Sequence, residues 1–146
     1  MRDPAVDVVF VRPIGGKQLL GTAGRHSVVT DRKIADGGTD AGCTSGELLL
    51  LAMASCATGS IRNALAADGL SADDMRVEVE LAAPREPGRR DGILITVVLP
   101  ERLLAGRTEA IADAATSGGV VSRIRLGSDV EVRCRPLESC PHEPHS

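Results

Sequence analysis

Four cysteines, Cys43, Cys56, Cys134 and Cys140, hold most of the reactive chemistry in this chain. A cysteine becomes a nucleophile as its thiolate, which calls for a nearby cation or helix N-terminus and some access to solvent. Without those it is a small, soft core residue. Cys56 stands apart from the other three because of what surrounds it. Ala54, Ser55, Ala57, Thr58 and Gly59 are all small, which leaves room for a second element or a second subunit to approach the sulfur. Cys43 precedes a helix in a glycine-rich loop, and Cys134 falls on the inner face of an expected strand, where the core reading leads. The end of the chain reads Cys134-x5-Cys140-Pro-His142-x2-His145. Cysteine and histidine favour zinc, but a structural zinc site normally has tighter C-x2-4-C spacing, so a loose proline-rich tail is the better reading of 136–146.

The element that must position Cys56 runs from Thr44 to Ala67, TSGELLLLAMASCATGSIRNALAA. It opens on Thr44-x-x-Glu47, the capping-box pattern in which hydroxyl and carboxylate each satisfy an orphaned backbone N–H. It continues without proline in leucine, alanine and methionine, all strong helix formers. Leu48, Leu49, Leu50 and Leu51 are consecutive and point in four directions, which predicts a helix buried all round. Gly69 is placed to end it. Glu47 precedes Cys56 by nine residues, half a turn out of phase and about 13.5 Å along a straight helix, so the two cannot touch within it. Arg62 is 240° round from Cys56 and points away, and His26 reads as a sheet residue.

Around that helix the alternation of apolar and polar residues predicts strands at 5–12, 17–22 and 25–30 as an antiparallel meander. Met75–Ala83 alternates with Val77, Val79 and Leu81 inward. Arg85–Gly92 is a charged hairpin loop, and the continuous apolar run Ile93–Leu99 predicts a strand covered on both faces. A second helix is expected at Glu101–Thr116, broken at Ser117-Gly118-Gly119, with a short helical turn over Val120–Leu126. A last strand is expected at Asp129–Cys134, with Val130, Val132 and Cys134 inward. The order is βββ–α–ββ–α–β, an α+β domain over 1–135 followed by the tail 136–146. A fully apolar helix is hard to cover in 146 residues, so a homodimer is expected.

Composition narrows the function. The net charge of −3, one Phe and no Tyr or Trp give neither the basic footprint nor the stacking surfaces of a nucleic-acid binder. A charged fraction of 25% with 42% apolar residues is that of a globular domain rather than a disordered chain. No apolar run approaches 18 residues free of charge, so no membrane span is expected. Asp3, Pro4 and Asp7 interrupt any signal-peptide core, so the expectation is a cytoplasmic protein with reduced cysteines.

The run GGTDAGCTSGELLLLAMASC, preceded by Gly24-Arg25-His26 and Val29-Thr30-Asp31, resembles the OsmC/Ohr family of osmotically inducible and organic hydroperoxide resistance proteins. The resemblance covers nearly the whole chain. It implies an intertwined homodimer with sites at the subunit interface and thiol-dependent reduction of organic hydroperoxides. In that scheme a central-helix cysteine, here Cys56, attacks the peroxide, and a second cysteine captures the sulfenic acid. An arginine and a glutamate position the thiolate and substrate; by neighbourhood these are Arg25 and Glu47. No cofactor is implied beyond an external dithiol such as a lipoyl group. The chain departs from the pattern where the resolving cysteine is due: Thr116–Arg123 contains none. Cys43-Thr44-Ser45 replaces a proline-containing turn, and the glutamate stands nine rather than ten residues before the cysteine. Cys43 is the possible substitute resolver, provided that a loop or a partner subunit brings it near Cys56. Two other functions remain open: a non-catalytic dimer binding a small apolar or electrophilic ligand at its interface, and a redox-sensing thiol protein.

Overall fold

The computed structural model describes residues 8–83, 86–88, 92–127 and 129–136. The expected central helix is present as α1, Ser45–Ala67, with Thr44 as its N-cap and both halves of the capping box formed. Thr44 Oγ1 accepts from the Glu47 amide at 3.2 Å, and Glu47 Oε2 accepts from the Thr44 amide at 2.8 Å. Gly69, at a φ of 72°, closes the other end, where the Leu70 amide donates back to the Leu65 carbonyl.

The N-terminal meander comprises β1 (Phe10–Gly15), β2 (Gln18–Ala23) and β3 (His26–Thr30), antiparallel in that order. Its register sets Val11 against Gly21 and Leu20 against Val29. The second sheet pairs β4 (Arg76–Ala82) with β5 (Gly92–Val98), Val79 opposite Ile95. The expected second helix is divided in two, α2 (Glu101–Leu104) and α3 (Thr108–Ser117), by a turn at Gly106, whose φ is 72°. Then Gly118 turns the chain into α4, Gly119–Leu126.

The core is a single cluster. Met53, Ala57, Ile61 and Leu65 repeat every fourth residue along one stripe of α1. They meet Ala72, Leu99, Leu103, Ile111, Ala115 and Val121, with Val77, Val79, Ile95 and Val97 half-buried beside them. This corrects the sequence reading at several points. The other faces of α1 are not covered within the chain: Leu49 and Leu51 are 47% and 59% exposed. The strand expected to be buried on both faces is covered on one only. Ile95 and Val97 pack inward, while Leu94 and Val98 on the opposite face are exposed because nothing among the described residues covers it; Ile93 shares the inner face but is exposed at the start of the strand. Leu81, expected inward, is exposed, as is all of β1. Residues 129–136 form no strand, and Val130, Val132 and Cys134, expected on its inner face, are exposed. The segment pairs with none of the described strands, so the alternation builds no ladder there. Of the tail residues noted above, Cys140, His142 and His145 lie outside the described residues, as do most of the charges of the 85–92 loop. Taken whole, α1 is long and apolar enough to cross a bilayer by length and composition, a property that a count of charge-free runs misses. Its packed stripe and capped ends are those of a core helix.

The segment joining β3 to α1 is locked by Asp31, which is almost fully buried. One of its carboxylate oxygens accepts from the Thr39 hydroxyl (2.6 Å), the Thr39 amide (3.0 Å) and the Ala41 amide (3.1 Å). The other accepts from the Arg32 amide at 2.7 Å. At Gly42 the chain passes so close to β3 that a Cβ would sit 2.1 Å from the Val29 carbonyl oxygen, so only glycine fits. The Asp31 amide then donates to the Cys43 carbonyl at 3.2 Å, and Thr30 pairs with Cys43 in a parallel bridge. These donors, the Thr39 hydroxyl foremost, hold Asp31 down to about 2, against an ordinary value of 3.8. A carboxylate lowered in this way stabilises the fold fully above its ordinary value, and that contribution is lost as pH falls through the interval from about 4 to about 2. Asp31→Asn is therefore expected to lower the urea midpoint at pH 7, with the gap to wild type closing over that interval. Parallel acid titrations of unfolding measure it; a gap that stays constant to pH 2 would remove Asp31 from this role.

Candidate functional site

Cys56 lies in the middle of α1, half-buried, with its side chain against the core cluster. The α3–α4 joint lies directly over it. A Cβ placed on Gly118 would fall 2.7 Å from Cys56 Sγ and 2.6 Å from Ser60 Oγ, closer than real Cβ atoms approach other heavy atoms. The backbone of residue 118 therefore rests on the thiol because it has no side chain. Sequence reasoning identified Gly118 only as a helix breaker. Its contact with Cys56 needs the tertiary packing of α3 and α4 on α1, which no local pattern reports.

The other expected site residues lie elsewhere in the single chain. Glu47 is held at the helix N-terminus, where it accepts from Thr44 and pairs with Lys33 Nζ at 3.2 Å. Lys33 also pairs with Asp40 at 3.2 Å. The Thr44 amide, followed by Lys33, holds the Glu47 carboxyl below the usual range, and Glu47 with Asp40 holds Lys33 above its own. Lys33 was not anticipated from the sequence. It approaches Glu47 only because the Asp31 lock folds the preceding loop back over the start of α1. Arg25 is exposed in the two-residue turn between β2 and β3. That turn is about 17 Å of extended strand from the Thr30–Cys43 bridge. Arg62 faces Asp73 at 3.9 Å on the surface.

Cys43 is pinned below the N-terminus of α1, on the wall of an apolar cavity of about 380 Å³ that it shares with Glu47, Leu50, Leu51, Ala54, Val77 and Val79. Between Cys43 and Cys56 the unbroken helix rises about 18 Å, far beyond the roughly 6 Å between Cα atoms that a disulfide spans. Within one chain the two thiols do not meet. Among the described residues no cluster of His, Cys, Asp and Glu has the geometry of a metal site.

A family profile described as OsmC-like protein matches residues 37–133. The chain belongs to the OsmC-like family. Solved structures of the same fold agree with this. An osmotic stress induced and detoxification response protein from Psychrobacter arcticus 273-4 superposes with a TM-score of 0.62 at 16% identity, over 84% of this chain and 90% of its own. An OsmC like protein from Mycoplasma pneumoniae gives 0.61 at 12% identity over 81% and 86%. An organic hydroperoxide resistance protein OsmC from Legionella pneumophila gives 0.53 at 17% identity over 83% and 91%. A search of the curated proteins finds no match.

Within this OsmC-like chain, the joint that closes over Cys56 is the stretch in which the resemblance calls for a resolving cysteine, and the residue facing the sulfur there is glycine. Position 118 is near enough to Cys56 for a covalent link. Gly118→Cys is expected to crosslink with Cys56 under mild oxidation, read as the loss of two titratable thiols in the unfolded protein and a linked peptide pair by mass. Retention of both thiols would show that a side chain at 118 pushes the joint off Cys56 instead of lying against it.

Proposed function

We propose that two copies of this chain form a cytoplasmic homodimer that reduces organic hydroperoxides at Cys56, with an external dithiol as reductant. The observation that carries the reading is the placement of Cys56: a half-buried thiol on the central helix of an OsmC-like fold, flanked by small residues. The name of the Legionella pneumophila relative, an organic hydroperoxide resistance protein, supports the substrate class. The exposed apolar faces support the dimer. Leu49 and Leu51 on α1, Leu81 and Leu94 on the second sheet and all of β1 lie open in one chain. A three-stranded meander with one strand wholly exposed gains its stability by packing against more protein.

The chemistry balances as follows. The Cys56 thiolate attacks the terminal oxygen of the hydroperoxide, the O–O bond breaks, and the alkoxide leaves and takes a proton from water. Sulfur is oxidised to the sulfenic acid and the peroxide is reduced to an alcohol. One thiol of the reductant attacks the sulfenic sulfur, expelling water and leaving a mixed disulfide. Its second thiol then displaces Cys56 and closes the oxidised dithiol. Arg25 belongs to this site only if a second copy contributes it, and Glu47 supports the site from the cap of α1. Cys43 acts as resolver only across the dimer.

The cavity beside Cys43 favours a second reading, a dimer that holds a small apolar or electrophilic molecule without turnover. One assay separates the two: consumption of cumene hydroperoxide and of hydrogen peroxide with a supplied dithiol, comparing wild type, Cys56→Ser and Cys43→Ser. The expected result is consumption that favours the organic peroxide, falls at least a hundredfold in Cys56→Ser and stays within twofold in Cys43→Ser. Wild-type consumption no faster than that of Cys56→Ser would end the peroxidase reading in favour of binding.

A further inference from the structure

We infer that, when the sulfur of Cys56 becomes anionic, the Ser60 hydroxyl turns to donate to it, the two atoms being neighbours because residue 118 is glycine; the inference rests on the peroxidase reading above. The helix supplies the first half of the argument. Residues four apart lie one above the other on a helix face, so Ser60 stands one turn below Cys56 on the same side of α1. The α3–α4 joint supplies the second half. The one point 2.7 Å from Cys56 Sγ and 2.6 Å from Ser60 Oγ is where a side chain on Gly118 would begin, so both polar atoms border the same small space.

How Ser60 spends its hydroxyl is the third observation. A serine or threonine inside a helix can donate back to the carbonyl three or four residues earlier, though Ser55 and Ser122 here do not. Thr58 does so to Ala54 at 2.7 Å, Thr116 to Ala112 at 3.1 Å and Ser117 to Ala114 at 3.1 Å. Ser60 has the Cys56 carbonyl available in that position and does not use it. Among the described residues its hydroxyl has no hydrogen-bond partner, the neutral Cys56 thiol included, so its proton is uncommitted. It is half-buried and has a proton to give, beside an atom that becomes anionic when it reacts.

Of the arginines considered for the site, neither lies beside the sulfur. Arg25 is at a remote turn and Arg62 faces Asp73. A hydroxyl donor is then the polar group that α1 itself supplies to the sulfur. It serves first the thiolate and, after the O–O bond has broken, the sulfenate oxygen. Ser60 keeps its proton throughout, and the departing alkoxide is protonated by water. A hydrogen bond to a charged acceptor is stronger than one between neutral groups, so its loss is expected to slow the reaction by about tenfold or more.

The test uses the full chain and follows the Cys56 peptide by mass. Two rates are measured in wild type and Ser60→Ala: sulfenic acid formation with cumene hydroperoxide at pH 7, trapped with dimedone, and alkylation by iodoacetamide at pH 9.5. Alanine is a better helix former than serine, so the variant keeps its fold. The expected result is a peroxide reaction at least tenfold slower in Ser60→Ala, with alkylation within twofold of wild type. Equal slowing of both rates would mean that Ser60 governs only access to the sulfur, and no slowing of either would mean that it does not act on Cys56; each overturns the inference while leaving the peroxidase reading intact. A wild-type Cys56 that forms no sulfenic acid overturns both.

Discussion

The constraint on which this structure depends is the shortage of surface to cover one helix. α1 is apolar on nearly every side, yet the chain's own elements meet it along a single stripe, Met53, Ala57, Ile61 and Leu65. Among the described residues two short strands and three short helices serve the purpose. The stripe is enough to fix α1 against β4, α3 and α4 and so to place Cys56 under the α3–α4 joint. It is not enough to account for Leu49, Leu51 or the open face of β5. The apolar surface left over is what the proposed dimer would cover.

The second constraint lies at the start of α1. The capping box satisfies two orphaned amides, Asp31 gathers four donors from the loop, and Lys33 bridges Asp40 and Glu47. The three devices are contiguous, so the meander, the loop and the first turn of the helix behave as one rigid corner. This is why Cys43, which sequence spacing alone leaves free to be folded toward Cys56, stays with Glu47 at the far end of the helix. A glutamate already committed to a backbone amide and an ammonium group is a structural residue in the single chain.

What could be read from the sequence divides along physical lines. The capping box, Gly69, the meander and the long helix were legible because each is written in neighbouring residues, where propensity, capping and alternation act. The α+β class followed from their order. The failures concern faces and partners. Ile93–Leu99 reads as a doubly covered strand because its residues are apolar on both sides, whereas coverage depends on what else the chain places there. Residues 129–134 alternate like a strand but pair with none of the described strands, and alternation alone does not name a neighbour. Cys56 was legible as a thiol among small residues, and Ser60 was within reach of the same helical arithmetic. Gly118 was not, because its importance is the absence of a side chain at one tertiary contact. Asp31 and Lys33 act through a loop whose path is set by backbone contacts such as that at Gly42.

Among the described residues the buried cluster begins at Met53 and ends at Val121. Protection of backbone amides from exchange follows buried packing, so a single chain has two tiers of local stability. The slow tier is centred on Ala57–Leu65 and the elements packed against it, and the fast tier takes in the meander, whose first strand is bare. The boundary between them does not fall in a linker. It falls inside α1, between the polar corner that anchors its first turn and the apolar stripe that begins at Met53, so one continuous helix belongs to two cooperative units. Leu48–Leu51 form the seam, and the same four leucines are where an added protein surface would fuse the two tiers into one.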